Sequence, residues 1–202
     1  MSASAPVIVL LAAGEGRRFG SAKQLAEVGG QAMLRRAVET AQATGLAVIV
    51  VTGAHAEAVE PLLADLPVQR LHHAQWREGM GSSLAAGMCH LRRHHPQASA
   101  VLVCLADQPL IDITILRAVL AEHGRVPERI VAVRHGDTAG PPALFPRQYF
   151  DVLAASSGDR GARALLAAEA DRVSMIERAN ALDIDTPADL DRARRAWLAQ
   201  QR

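Results

Sequence analysis

Val7–Leu25 reads VIVLLAAGEGRRFGSAKQL, an apolar run that breaks abruptly into glycines, two arginines and a lysine. A short Val/Ile/Leu run with no polar alternation suits a strand buried on both faces, and glycines just beyond it mark a loop whose backbone is free to approach a ligand. Gly14, Gly16 and Gly20 are spaced GxGxxxG, not the GxGxxG of a dinucleotide fold. The next apolar run, Val48 to Val51, ends in Thr52 and Gly53, where a dinucleotide fold offers an acid to the ribose hydroxyls. A Walker A loop needs Gly-Lys-Ser/Thr, whereas Gly20 is followed by Ser21, Ala22 and Lys23. With both readings set aside, Val7–Leu25 is a strand opening into a loop whose N–H groups and whose Arg17, Arg18 and Lys23 suit a polyphosphate. A surface turn with solvated charges accounts for the same residues.

Outward from this stretch, similar apolar runs recur at Val7–Ala13, Ala47–Thr52, Ala100–Ala106 and Arg129–Val133, with Val68–Leu71 as a shorter candidate. Between them lie helical stripes: Leu34, Val38 and Ala41; Val59, Leu62 and Leu63; Leu84, Met88 and Leu91; Ile115, Leu116, Val119 and Leu120. This alternation predicts an α/β fold of three layers, an open and mainly parallel sheet with helices on both faces. After Gly136 the pattern weakens, and GDTAGPPALFPRQYF reads as turn-rich. Near the end, Thr186 as N-cap, Pro187 at the first helical position and Asp189 three beyond the cap announce a terminal helix. No repeat or linker-like tract divides the chain, so residues 1–202 are expected to form a single domain.

Composition removes several classes of function. Lys plus Arg number 22 against 21 Asp plus Glu, so no global field draws the chain to nucleic acid or to a membrane surface, and an anionic ligand must be captured locally. The longest apolar run falls far short of the roughly 20 residues that span a bilayer. Residues 1–6 lack the basic start of a signal peptide, and a cytoplasmic location is expected. Cys89 and Cys104 show neither CxxC spacing nor a partner pattern and read as reduced core thiols.

Asp107 directly follows the run Ala100–Ala106, which places its carboxylate at the C-terminal edge of the sheet, where open α/β folds bind ligands. A turn cap before Pro109 is the plainer role for the same residue. Asp183 and Asp185, two apart on an extended segment, should share one side, and either could meet Asp107 only if the chain end returns to the sheet. Magnesium commonly takes one or two carboxylates and completes its shell with water and substrate phosphates; Mn²⁺ accepts the same ligands.

The stretch LAAGEGRRFGSAKQL resembles the LAAGxGxRxG signature, followed by a lysine, of MobA-like nucleotidyltransferases, the fold of the nucleotide-diphospho-sugar transferases. Within them the chain resembles the molybdenum cofactor cytidylyltransferases. EGMGSSLAAG (78–87), LADQP (105–109), GPPALF (140–145) with GDRGAR (158–163), and DIDTPADL (183–190) carry the likeness in family order along nearly the whole chain. The resemblance implies CTP and molybdopterin as bound partners, with or without molybdenum already inserted. A molybdoenzyme of the hydroxylase type, in its apo form, would be the recipient of the product. It implies Arg18 and Lys23 as triphosphate contacts and catalytic residues with Asp107, and Leu11, Ala12, Ala13, Gly14, Gly16 and Arg17 as the nucleotide loop. Gly81, Ser82 and Ser83 are candidate contacts to the base, although a serine at a helix start also serves as a cap. The acid before the T-P turn falls on Asp185, which with Asp107 would hold Mg²⁺ or Mn²⁺; Asp183 is the reserve. Gly140, Pro141, Asp159 and Arg163, with Arg160 beside them, are expected on the acceptor side. Ala13 stands where guanylyl members carry a second glycine, which favours cytidine. A guanylyltransferase, a sugar-phosphate nucleotidyltransferase and a non-catalytic cofactor chaperone are the alternatives.

Overall fold

In a computed structural model of the chain, which describes residues 4–159, 161–177 and 182–200, the Val7–Ala12 run forms strand β1 at the middle of a seven-stranded sheet. The other elements follow in chain order: β2 (Glu27–Val28), β3 (Gln31–Ala32), α1 (Met33–Gln42), β4 (Ala47–Thr52), α2 (Ala56–Val59), β5 (Gln69–His72), α3 (Met80–His94), β6 (Ala100–Leu105) and α4 (Ile113–Arg125). Then come β7 (Ile130–His135), β8 (Thr138–Pro146), α5 (Phe150–Ala154), α6 (Ala162–Ala168), β9 (Val173–Ile176) and α7 (Pro187–Gln200). The sheet order is β5-β4-β1-β6-β8-β7-β9, parallel throughout except for β8, which runs antiparallel to both of its neighbours.

The apolar runs lack alternation because both faces of the sheet are covered. Val7, Val9 and Leu11 pack with the apolar faces of α3, α5 and α6, whereas Ile8, Leu10 and Ala12 pack with those of α1 and α4. A strand buried on both sides has no face left for polar residues. The predicted stripes are the buried ones, Leu34, Val38 and Ala41 on α1 and Leu84, Met88 and Leu91 on α3 among them. Around Val59–Leu63, however, α2 gives way to a 3₁₀ turn over Glu60–Leu63 at Pro61, whose missing N–H interrupts α-helical bonding.

The turn-rich reading of GDTAGPPALFPRQYF is corrected: its first nine residues after Asp137 are β8, a central strand. Prolines argue against a central strand because they donate nothing to the ladder. Here the register jumps from Ala132↔Ala143 to Val133↔Gly140, so Pro141 and Pro142 lie in the irregularity, where no ladder donor is required.

One small third core decides where the chain ends. Val28, Met33, Ile184, Leu190 and Ala193 bury together, so α7 docks on the β2–β3 hairpin and draws residues 183–185 to the sheet edge. The cap of α7 is reciprocal: Asp189 accepts from the Thr186 N–H and hydroxyl at 2.8 Å each, and Thr186 Oγ1 accepts from the Asp189 N–H at 3.3 Å. With Arg192 beside it and Thr186 donating to it, the Asp189 carboxyl is held down at about 2.

Candidate active site

From β1 the chain steps outward to β4 and β5, then crosses back to β6 on the other side of β1. The sheet therefore changes winding direction between β1 and β6, and such a switch point opens a crevice at the strands' C-terminal ends. The glycine loop leaves β1 into this crevice, and Asp107 leaves β6 into it. A cavity of about 450 Å³ lies there, lined by the loop from Leu11 to Arg18, by Lys23, Ser83 and Asp107, and by Asp185 from the returning chain end.

The loop is shaped from within. Gly16 sits at φ +70°, and a β-carbon there would lie 2.7 Å from the Ser21 carbonyl, so both backbone conformation and space demand glycine. Gln24, which the sequence reading passed over, is buried and donates from Nε2 to the carbonyls of Ala12 (2.9 Å) and Gly14 (2.7 Å). It pins the loop's return to its origin. A lone glutamine between Lys23 and Leu25 offers no periodic signal that would reveal this.

At the crevice floor the carboxylates and cations meet directly. Lys23 Nζ donates to Asp107 Oδ2 at 2.7 Å, to the Ile184 carbonyl at 2.9 Å and to Asp185 Oδ1 at 3.3 Å. Arg18 reaches Asp185 Oδ2 at 3.0 Å from a side chain that is 76% exposed. The Ile184 N–H donates to the Asp107 carbonyl at 2.9 Å, which ties the chain end to β6. Burial pulls the Lys23 ammonium down, but the facing carboxylates outweigh it and hold it above its ordinary value. Burial pushes the Asp107 carboxyl up against the attraction of Lys23, with Asp183 and Asp185 adding to the rise.

Asp107 Oδ1 is buried with no hydrogen-bond partner among the described residues, an arrangement that costs about 1–3 kcal/mol unless something fills it. An unsatisfied carboxylate oxygen beside a second carboxylate fits a hard divalent cation. Among the described residues no group of three or more His, Cys, Asp or Glu gathers to bind a metal, so such an ion must draw its other ligands from substrate and water.

The remaining predicted residues divide. Ser83 lines the cavity, but Gly81 and Ser82 do not. A β-carbon on Gly81 would lie 2.4 Å from the Ser157 carbonyl, so this glycine serves close packing. The Ser82 hydroxyl turns back to donate to the Gly79 carbonyl at 2.9 Å, and α3 is capped at Gly79 with no side-chain bond. Arg17 pairs with Glu15 at 2.7 Å on the exposed rim. Trp76 and Arg77 line the same cavity, with the Arg77 guanidinium 4.3 Å from the Trp76 ring centre.

Gly140 and Arg163 line a second cavity of about 540 Å³, with His135 and Thr138 on its polar side and Leu166 and Val173 on its apolar side. Asp159, expected with them, lines the first cavity instead, and Arg160 lies outside the described residues. Pro141 lines neither cavity; its carbonyl accepts from His135 Nε2 at 2.6 Å and from Gln108 Nε2 at 3.0 Å. Asp183 does not share a side with Asp185. Its two oxygens accept from Gln108 (2.8 Å) and Arg163 (2.9 Å), because residues 182–185 are not a regular strand and the two-residue period does not govern them. Gln108, buried beside Asp107, thus links the two cavities; it too was passed over in the sequence. Of the thiols, Cys104 is buried and pushed up to about 12 by desolvation, whereas Cys89 is exposed, not in the core as expected.

Comparison with known proteins adds a family. The model of the MobA-like NTP transferase domain matches residues 8–173. The nicotine blue oxidoreductase of Paenarthrobacter nicotinovorans is 31% identical over 193 residues, 88% of this chain and 91% of that protein. The purine catabolism protein PucB of Bacillus subtilis is 31% identical over 200 residues, 93% of this chain and 95% of that protein. The crystal structure of Rv0371c from Mycobacterium tuberculosis superposes with a TM-score of 0.84 at 29% identity, covering 96% of this chain and 100% of that one. The same protein has been crystallised as a manganese complex, with a TM-score of 0.79 at 27% identity over 96% of this chain and 100% of that one.

Proposed function

The chain belongs to the MobA-like NTP transferase domain family, and on that premise we propose that it transfers CMP from CTP to the terminal phosphate of molybdopterin, releasing pyrophosphate. The observation that carries this reading is the crevice floor, where a buried carboxylate with one unsatisfied oxygen faces Lys23, Asp185 and Arg18 at the mouth of a glycine loop. A phosphate oxygen of the acceptor attacks the α-phosphorus of CTP, a new P–O bond forms, and the bond to the β-phosphate oxygen breaks with its electron pair leaving on pyrophosphate. The attacking oxygen is already ionised near neutral pH, so no general base is required. What opposes the reaction is the approach of two anions, and the protein's work is alignment and neutralisation.

Arg18, exposed and tethered to one carboxylate, is placed to turn onto the β- and γ-phosphates, and Lys23 to follow the charge that develops on the leaving group. N–H groups of the Gly14–Gly16 backbone supply uncharged donors. Asp107 and Asp185 would hold Mg²⁺ or Mn²⁺, which when bound neutralises phosphate oxygens; the manganese complex of the Mycobacterium relative supports a divalent ion. Ala13, in place of a second glycine, favours cytidine, and Ser83, at the first turn of α3 on the cavity wall, is assigned to the base edge. The second cavity, with Gly140 and Arg163, is assigned to the pterin, and the Gln108–Asp183–Arg163 chain sets its distance from Asp107. We place the reaction in the cytoplasm, with a hydroxylase-type apo-molybdoenzyme as recipient and residues 1–202 as one domain. No helix among the described residues is long and apolar enough to cross a membrane.

Incubation with Mg²⁺, CTP and molybdopterin tests this: pyrophosphate and a cytidine dinucleotide cofactor are expected. A clear preference for GTP in competition overturns the cytidyl assignment. Tight binding of both substrates without pyrophosphate marks a cofactor chaperone instead. A second reading, reduction of a small-molecule substrate, is favoured by the relative named an oxidoreductase. Oxidation of NADH or NADPH with no pyrophosphate release would establish it, and Thr52–Gly53 at the end of β4 argue against it.

A further inference from the structure

An ammonium group carries three N–H donors, and all three on Lys23 have protein acceptors: Asp107 Oδ2, the Ile184 carbonyl and Asp185 Oδ1. None is left for a phosphate. Both oxygens of Asp185 are likewise engaged, one by Lys23 and one by Arg18. Two carboxylates are thus offset by two cations, and a free divalent ion approaching the pair meets little net attraction. Of the four oxygens of the pair, Asp107 Oδ1 is the one left without a partner among the described residues.

We propose that Lys23 is the resident counter-cation of the Asp107–Asp185 pair: it closes the pair to free divalent ions until a nucleoside triphosphate draws the ammonium away. This rests on the reading of that pair as a metal site. A triphosphate brings several negative charges to the loop. Arg18 and Lys23 then have a better partner, and the carboxylates regain their charge for the metal that travels with the nucleotide. The exchange is confined to the side chain. Gln24 anchors the backbone beside Lys23 to the carbonyls of Ala12 and Gly14, so Nζ pivots on its four-carbon stem while the main chain stays. If instead Lys23 were only a strut tying the chain end to β6, its removal would weaken the fold and leave metal affinity flat or lower.

The test is titration with Mn²⁺ alone, without nucleotide, read by the loss of the free Mn²⁺ paramagnetic resonance signal. Lys23→Met, which keeps the stem and removes the charge, should bind Mn²⁺ at least about tenfold more tightly than the wild type. The gain should vanish in K23M/D107N and K23M/D185N. No gain in K23M, or a gain that survives loss of either carboxylate, overturns the proposal. Should K23M fold poorly, Lys23→Gln is titrated in its place, and a rise in melting temperature with Mn²⁺ that exceeds the wild type's reports the same substitution of metal for ammonium. Wild-type and D107N protein titrated with Mn²⁺ and CTP together separate the two levels. If D107N weakens that binding while K23M shows no gain, only the counter-cation role falls; if D107N leaves it unchanged, the metal pair falls and the counter-cation with it.

Discussion

The two halves of the sheet solve the same problem differently. From β5 to β6 four parallel strands deliver their C-terminal ends to one edge, and a loop after each of β1 and β6 supplies the crevice. From β8 to β9 a reversed strand is inserted, and the second cavity is assembled from a hairpin, α6 and β9. In the first half the glycine loop and Asp107 follow from strand direction, and Asp185 joins them from the returning chain end. In the second, the ligand-facing residues depend on a register irregularity and on who packs behind them. A parallel edge is a general ligand shelf, whereas a reversed strand needs its own contacts to specify a site.

The seam between the halves is β6–β8, where Val101 pairs with Phe145 and Leu102 with Leu144. Phe145 is fully buried, so Phe145→Ala should destabilise the chain by about 3–5 kcal/mol, measured as a lowered urea midpoint. A change below 1 kcal/mol, on the order of the surface substitutions seen elsewhere, would mean that the halves are not joined through this core. Next in size, Lys23→Ala should lower the rate of the proposed reaction by roughly 10²-fold or more, while near wild-type pyrophosphate release would remove chemistry from the parallel half. Gln108→Ala, which removes one of two donors from the Pro141 carbonyl and one of two from Asp183, should cost about 0.5–1.5 kcal/mol. It should also raise the acceptor KM more than the CTP KM; equal effects on both would dissolve the link between the cavities.

The smallest effect concerns acid stability. Asp189 is held down at about 2 from its ordinary 3.8, so its contribution is present above pH 3.8 and is lost as pH falls through 2. Asp189→Asn should flatten the decline of the melting temperature in that window relative to wild type. An unchanged slope would show that the α7 cap does not tie the chain end down.

Much of the parallel half was legible because its causes are local. Unalternating Val/Ile/Leu runs mean burial on two faces, and the stripes of α1, α3 and α4 state which side of each helix is buried. Asp107 is readable from its place after β6. β8 was not legible, because Pro141 and Pro142 carry a strong local signal for a turn, and only pairing with β6 and β7 shows that neither proline needs to donate. Gly81 and Ser82 read as ligand contacts because a glycine-serine helix start serves ligand and packing equally well. The loop at Ser157–Gly158 packs against Gly81, a contact that only the tertiary structure shows.

The sequence by itself determined the class of fold and the groups available for chemistry: a doubly covered parallel sheet, a glycine loop with three cations, and acids placed after a strand and before a helix. These follow from periodicity, propensity and the valence of side chains, which act over a few residues. Only the tertiary structure decided how they meet. The burial of Ile184 with Val28 and Met33 brings Asp185 to within 3.3 Å of a lysine 162 positions away, and the same return delivers Asp183 to Arg163 and Gln108 instead. Such distances are set by the packing of a core remote in sequence, and no local pattern encodes them.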